Sequence, residues 1–220
     1  MKKTALLILS AIVGVAFISS MPALATGQNY NKNYTNNYFK VNLGAYQPTG
    51  DLDDEDYDIG INLSLACGRY LTPYLGIEAG LESVISDNDV YGSNDIAGTY
   101  DQENLIIGSG LTFTAKVITP AEPVRLYAGG GLGLYSVTLS SEIDSSRRGD
   151  FDRSETDFTV GAHIVAGLDF EISDRCFVNV EGKYRIIEDV DIRETVASIP
   201  VAYDGDLNGF SVTTGVGFRF

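Results

Sequence analysis

Residues 209–220 read G-F-S-V-T-T-G-V-G-F-R-F, and the chain ends on this stretch. Every second residue from Phe210 to Phe220 is apolar or a threonine, whereas serine, threonine, glycine and arginine occupy the positions between them. Successive side chains of a β-strand point to opposite faces, so this alternation predicts a strand with one apolar face and one polar face.

The amino terminus has the pattern of a cleaved export signal. Lys2 and Lys3 precede an apolar run over residues 5–18, and residues 23–25 (A-L-A) match the small-x-small cleavage pattern. A retained transmembrane helix would need about 20 apolar residues, and serines and a proline interrupt this run. We therefore predict a signal peptide that is cleaved after about Ala25, so that the mature chain leaves the cytoplasm.

The composition is acidic and rich in glycine. Among 220 residues there are 30 Asp and Glu against 15 Lys and Arg, which gives a formal net charge of −15, and there are 24 glycines. An acidic surface repels phosphate groups, so nucleic acid is not an expected partner. No second long apolar segment follows the signal, so any membrane crossing has to be made by strands.

Eight alternating segments follow a polar leader over residues 26–37. The predicted strands cover residues 38–46, 59–70, 74–85, 103–117, 124–139, 157–171, 176–187 and 209–220. Short connections at 71–73, 118–123 and 173–175 alternate with long ones at 47–58, 86–102, 140–156 and 188–208. An even strand number, short periplasmic turns and long extracellular loops are typical of outer-membrane barrels. The sequence thus predicts an all-β domain over 38–220, an eight-stranded antiparallel up-and-down transmembrane β-barrel.

The charges indicate which face of each strand meets lipid. They share one face with most of the glycines, which would make a poor solvent surface but fits a narrow lumen; a soluble lipocalin-like barrel would have the opposite arrangement. Buried charges cost several kcal/mol unless they are matched, so we predict a neutralising lumen network. Its expected members are Lys40, Glu78, Glu82, Lys116, Arg125, Asp169, Glu181, Lys183, Arg185 and Arg219. A serine at Gly131 in the lumen should cost far less than an arginine on the lipid face.

The export signal, the eight strands, the sorted loops and the terminal Phe220 together resemble the small outer-membrane β-barrel proteins, the porin-like group around the OmpA membrane domain and OmpX. Residues 46–51 (Y-Q-P-T-G-D) are also similar to the start of that family's first loop. The resemblance implies a monomer in the outer membrane of a Gram-negative bacterium, in contact with lipid and lipopolysaccharide. It also implies insertion by the barrel assembly machinery, with Phe218 and Phe220 as the assembly signal. No peptidoglycan-binding domain follows the barrel in this sequence, so a cell-wall anchoring role is not expected.

Two residue types invite a chemical interpretation. Cys67 and Cys176 fall on the apolar face of strands that are not neighbours, so we expect two free thiols instead of a disulfide. His163 is the only histidine and falls on the lumen face, whereas outer-membrane lipases and deacylases place a Ser-His pair on the lipid-facing surface. We predict no catalytic site and no cofactor.

The first and fourth long loops are strongly acidic. The first carries Asp51, Asp53, Asp54, Glu55, Asp56 and Asp58, and the fourth carries Glu188, Asp189, Asp191, Glu194, Asp204 and Asp206. The first loop lacks the glycine and the closing glutamate of an EF-hand. We therefore predict a solvated acidic surface with no defined metal site, and keep weak divalent cations shared with lipopolysaccharide phosphates as the alternative.

Three classes of function remain open from the sequence. The favoured class is a structural or surface-exposed barrel that supports membrane integrity or presents its acidic loops as an adhesin or receptor. The second is a narrow gated ion pore through the charged lumen, since eight strands leave an interior just wide enough for side chains. The third, an outer-membrane lipid-modifying enzyme, lacks an assembled site in the sequence.

Overall fold

The computed structural model describes residues 37–54, 57–94, 98–119, 121–145, 149–196 and 199–220. The predicted signal peptide and all but the last residue of the polar leader lie outside these residues. The described residues form ten strands and one short helix. They are β1 (Asn37–Pro48), α1 (Asp51–Asp54), β2 (Gly60–Thr72), β3 (Leu75–Asn94), β4 (Gly98–Ile118), β5 (Val124–Ser145), β6 (Gly149–Glu171), β7 (Cys176–Ile187), β8 (Val190–Val196), β9 (Ile199–Gly205) and β10 (Gly209–Arg219).

Eight of the strands close into an antiparallel ring in the order β1-β10-β7-β6-β5-β4-β3-β2. The ring closes where β1 pairs with β10, from Tyr38 opposite Arg219 to Pro48 opposite Gly209. β8 and β9 form a separate two-stranded sheet within the last long connection. The predicted eight-stranded antiparallel barrel is confirmed. Among the described residues, no helix is long and apolar enough to cross a membrane.

Four strands are much longer than the sequence predicts. β3 and β4 remain paired from Leu75 opposite Val117 up to Asn94 opposite Gly98, and β5 and β6 remain paired up to Ser145 opposite Gly149. The stretches 86–102 and 140–156, predicted as loops, are therefore mostly strand, and 188–208 contains β8 and β9. In these extensions the outward side chains such as Asp87 and Glu103 are polar and so are the buried inward ones such as Asn88 and Asn104. The alternation of apolar and polar residues therefore fades while backbone pairing continues.

The exterior of the ring is apolar and its interior is polar. Leu132 and Val216 on the exterior are 68% and 62% exposed, whereas Lys116 and Arg185 in the interior are 3% and 1% exposed. A continuous exposed apolar surface is unfavourable in water but suits the hydrocarbon of a bilayer. The predicted assignment of the two faces is confirmed.

An apolar cluster lies on each side of the charged centre of the lumen. At the end with the short turns it consists of Tyr38, Tyr70, Ile118, Tyr127, Val165 and Phe177. At the end with the long connections it consists of Leu52, Tyr57, Ile106, Tyr135, Val137, Leu139, Ile187, Val190 and Leu207. The centre of the lumen is therefore filled by charged side chains, with an apolar cluster on each side of them.

Gly131 shows how tightly the lumen wall is packed. A Cβ atom at this position would overlap the carbonyl oxygen of Phe113 on the neighbouring strand and would lie 2.8 Å from the imidazole of His163. A backbone oxygen in a sheet cannot move aside as a flexible side chain can. The expectation that a serine at Gly131 costs far less than an arginine on the lipid face assumed free space in the lumen, and the structure shows none at this position.

Candidate functional site

Two lysines and two glutamates from four strands meet in the middle of the lumen. Lys40 Nζ lies 2.6 Å from Glu181 Oε2 and 3.3 Å from Glu78 Oε2. Lys116 Nζ lies 2.8 Å from Glu78 Oε2 and 3.3 Å from Glu181 Oε2. Each lysine thus contacts both carboxylates and each carboxylate contacts both lysines, so the four charges neutralise one another in a region that water scarcely reaches.

Lys183 connects this group to a second carboxylate, Glu82. Its Nζ lies 3.9 Å from Glu181 Oε1 and 2.7 Å from Glu82 Oε2. Arg185 donates through Nε to Glu82 Oε1 at 2.9 Å and through Nη2 to Glu82 Oε2 at 3.2 Å, which is the two-pronged geometry typical of arginine and a carboxylate. The Tyr135 hydroxyl also donates to Glu82 Oε1 at 3.0 Å. Seven predicted network members are therefore linked in one continuous chain of ion pairs.

The remaining predicted members lie nearer the short turns. Arg125 Nη2 and Arg219 Nη1 both lie 2.9 Å from Oε1 of Glu171, a residue that the sequence reasoning missed. Glu171 is two residues after Asp169 and shares its face of β6, a spacing that could have identified it. Asp169 itself accepts a hydrogen bond from Asn179 Nδ2 at 2.7 Å. Arg125 and Arg219 thus belong to a separate ion-pair group.

Tyrosines complete the surroundings of the carboxylates, and the sequence reasoning did not predict this role. The Tyr38 hydroxyl donates to Glu78 Oε2 at 2.8 Å, and the Tyr127 hydroxyl donates to Glu181 Oε2 at 2.7 Å. Lys116 Nζ also lies over the Tyr127 ring, 4.5 Å from its centroid. Both tyrosines belong to the apolar cluster beside the short turns, so this cluster and the ion pairs form one packed unit.

His163 lies inside the lumen and is 2% exposed. Its Nε2 lies 2.8 Å from Oγ1 of Thr114 on β4. A neutral imidazole can either accept from or donate to this hydroxyl. The pair is separated from the lipid-facing surface by the barrel wall, which places it away from where a membrane lipid would meet the protein.

The two cysteines are both free. Cys67 lies on β2 and Cys176 lies on β7, and β1 and β10 separate these strands in the ring. Cys67 is opposite Phe39, and Cys176 is opposite Phe218, and both phenylalanines are exposed on the exterior. The thiols therefore belong to the lipid-facing surface.

Three carboxylates meet at the extracellular mouth. Asp51 of α1, Asp189 of the β7–β8 link and Asp206 of the β9–β10 link each place an oxygen within 4.8 Å of the others, and among the described residues these three could hold a metal ion. Carboxylate oxygens suit Ca²⁺ or Mg²⁺. Burial raises the pKa of the Asp206 carboxyl, and the charges of Asp51 and Asp189 shift it the same way.

Other acidic residues of the two loops are spread more widely. Asp58 and Glu188 are exposed at the ends of their links. Outside the described part of the chain are Glu55, Asp56 and the side chains of Asp53, Asp54, Asp191, Glu194 and Asp204. The structure therefore brings together three of the twelve acidic loop residues that the sequence singled out.

A closed antiparallel ring with an apolar exterior and a charged, filled interior defines a transmembrane β-barrel of the outer-membrane class. Residues 11–220 match the family described as "Outer membrane protein beta-barrel domain", and the chain belongs to this family. Family membership places the protein in the bacterial outer membrane, in contact with its lipid and lipopolysaccharide.

Solved structures of small barrels share the fold. OprG from Pseudomonas aeruginosa matches with 12% identity over 84% of this chain and 96% of its own, at a TM-score of 0.54. A major outer membrane protein from Thermus thermophilus matches with 12% identity over 84% of this chain and 99% of its own, at a TM-score of 0.50. Neisserial surface protein A matches with 13% identity over 84% of this chain and 97% of its own, at a TM-score of 0.49. The comparison with curated proteins gives no match. At such low identities the likeness concerns the fold alone.

Proposed function

We propose that this protein is a closed structural barrel that supports the outer membrane and presents an acidic surface outside the cell, as an adhesin or receptor. The observation that carries this proposal is the filled lumen. A linked set of ion pairs occupies its centre, and an apolar cluster lies on each side. An ion entering from either end would have to displace packed apolar side chains and then compete with paired charges.

The outer wall above the lipid-facing band supports the receptor part of the proposal. Asp89 on β3 is opposite Glu103 on β4, which is opposite Glu142 on β5. These carboxylates, with Asp87, line a surface hollow of about 330 Å³. Like charges directly opposite one another destabilise a sheet, so this wall is better suited to a cationic partner than to standing alone.

Planar-bilayer conductance of the refolded mature protein tests the proposal. We expect no discrete current steps from protein whose folding is verified by its gel mobility before and after heating. Lys183→Ala, which removes the link between Glu82 and Glu181, is measured beside Arg175→Ala, an exposed cation on the β6–β7 turn. Steps that Lys183→Ala alters and Arg175→Ala does not would show a pore and refute the closed barrel.

A narrow gated pore is the second candidate, and one contact favours it. Lys183 Nζ lies between two carboxylates, 2.7 Å from Glu82 and 3.9 Å from Glu181. A small movement of the Lys183 ammonium group would exchange its ion pair with Glu82 for one with Glu181, and such an exchange could open or close a path for ions. We infer no enzymatic role, and hydrolysis of lipid substrates by the folded protein would contradict this inference.

We further propose that the signal peptide is removed near Ala25, that the barrel assembly machinery inserts the protein, and that the barrel is a monomer. The closed ring supports a monomer, because closure of β1 onto β10 leaves the membrane-spanning sheet without an open edge. Cross-linking in intact membranes would measure the oligomeric state, and a discrete dimer band would contradict the proposal.

A further inference from the structure

A small buried cavity lies beside the central ion pairs, on the side of the short turns. Its volume is about 10 Å³, and each side chain that lines it is at most 8% exposed. Lys40, Glu78 and Lys116 of the central group line it together with Tyr70 and Asp169. A cavity needs roughly 10–15 Å³ to hold one water molecule, and apolar cavities stay dry whereas polar ones are hydrated. This polar cavity therefore has room for a single water.

The Tyr70 hydroxyl at this cavity lacks an acceptor for its proton. Tyr70 is 6% exposed, and its hydroxyl has no hydrogen-bond acceptor among the described residues. The guanidinium of Arg219 also interacts with this hydroxyl, but arginine has only donors and cannot accept the proton. By contrast, the hydroxyls of Tyr38 and Tyr127, which line the same cavity, both donate to a carboxylate. Buried polar groups without a protein partner are usually satisfied by ordered water.

Two charged groups at the cavity can complete the hydrogen bonds of a water. Asp169 accepts from Asn179 Nδ2 at 2.7 Å, and an ionised carboxylate has about four acceptor positions. Lys40 Nζ contacts two carboxylates, and its ammonium group has a third N–H to donate. A water in the cavity can therefore accept from Tyr70 and Lys40 and donate to Asp169. Three hydrogen bonds are typical of a buried water.

We propose that this cavity is a binding site for one water molecule, which bridges the Tyr70 hydroxyl, Asp169 and Lys40. The water joins the central ion pairs to the groups beside the short turns, because the Tyr70 ring also lies against Arg125, 5.6 Å from its Cζ. This goes beyond the proposed function, since a closed barrel does not require an internal water. A single enclosed molecule gives ions no path, so the lumen stays closed.

A crystal structure of the mature protein, at a resolution that shows ordered water, tests the site directly. We expect one peak of electron density in the cavity, about 2.5–3.0 Å from Tyr70 Oη and from an Asp169 carboxylate oxygen. Tyr70→Phe removes only the hydroxyl and should lose or displace this peak. An empty cavity in the wild type would overturn the proposal. A peak that stays in place in Tyr70→Phe would also overturn it, because the ion pairs alone would then hold the water.

Urea unfolding in phospholipid vesicles gives a second test through the sign of the effect. If the Tyr70 hydroxyl donates to a bound water, Tyr70→Phe should lower the urea midpoint by roughly 0.3–1 M, the usual effect of one lost hydrogen bond. If the hydroxyl has no acceptor, its removal leaves the midpoint unchanged or raises it, and the proposal fails. Tyr74→Phe is the matched control at a tyrosine that is 61% exposed, and it should leave the midpoint unchanged.

A double-mutant cycle with Asp169→Asn separates the water from the Arg219 contact. Tyr70 and Asp169 share the water, so the two single losses should add to more than the loss of the double variant. Additive losses would mean that Tyr70 and Asp169 act independently and would contradict the bridge. These measurements do not depend on whether the barrel conducts, so the water site and the closed barrel can fail separately.

Discussion

Glu82→Gln is the most informative substitution in the lumen. It replaces one carboxylate oxygen by an amide NH₂ group and leaves the charges of Lys183 and Arg185 buried. Glu82 is 5% exposed and accepts from Lys183 at 2.7 Å and from Arg185 at 2.9 and 3.2 Å. After the change, Lys183 keeps only a distant carboxylate, Glu181 at 3.9 Å. Arg185 keeps a hydrogen bond to the Ser211 hydroxyl at 3.2 Å. Both positive charges would remain where water can hardly solvate them.

The expected loss follows from that geometry. Removal of one partner from a buried ion pair typically destabilises a protein by about 3–5 kcal/mol. Total stabilities of folded proteins are about 5–15 kcal/mol, so the variant should lose a large part of its stability. Replacing Lys183 by Met in the same protein removes one stranded charge at similar length. The double variant should therefore recover part of the loss, which a double-mutant cycle would measure.

The assay is urea unfolding in phospholipid vesicles. Unfolding is monitored by the gel mobility of unheated samples and by tyrosine fluorescence, since the chain has 13 tyrosines and no tryptophan. Glu155→Gln, at an exposed glutamate on β6 that lies opposite Leu139, is the control and should change stability by no more than about 0.5 kcal/mol. If Glu82→Gln cost less than about 1 kcal/mol, well below the usual cost of a broken buried pair, the lumen would have to be hydrated and the filled-barrel reasoning would be refuted.

Two further predictions concern the exterior and the chain end. Leu132→Arg, at a position 68% exposed toward lipid, should cost about 2–4 kcal/mol in the same assay, with Leu132→Ala as the control; equal stability of the two variants would contradict a lipid-facing exterior. Deletion of Phe220, whose amide donates to the Asn37 carbonyl at 3.0 Å, should lower the amount of barrel in the outer membrane. Phe220→Tyr, which keeps an aromatic end, should insert normally, and normal insertion of the truncated chain would argue against an assembly signal.

The fold was predictable because the bilayer imposes a repeating constraint. Each membrane-spanning strand has one face in lipid and one in the lumen, so Phe210, Val212 and Val216 alternate with Ser211 and Thr213 in the sequence as they do in space. The same alternation placed Lys183 and Arg185 in the lumen. Beyond the bilayer the outer face of a strand no longer has to be apolar. The extensions of β3 to β6 therefore show no alternation of apolar and polar residues in the sequence.

The partners inside the lumen could not be predicted residue by residue. Lys40 and Glu181 are 141 residues apart, and their contact depends on the register in which β1, β10 and β7 pair. Glu171 was overlooked, although its spacing from Asp169 was visible. The tight packing of Gly131 against Phe113 likewise depends on the β4–β5 register.

The sequence by itself determined the export signal pattern, the eight alternating strands, the face that meets lipid and the set of charges that enters the lumen. These features depend on residue type and local spacing, which one strand carries on its own. Only the tertiary structure decided which charges pair, which apolar side chains cluster on each side of them, and that Leu52 and Leu207 are buried at the mouth while Asp51, Asp189 and Asp206 meet there. Those contacts join residues far apart in the chain, and ring closure alone brings them within reach of one another.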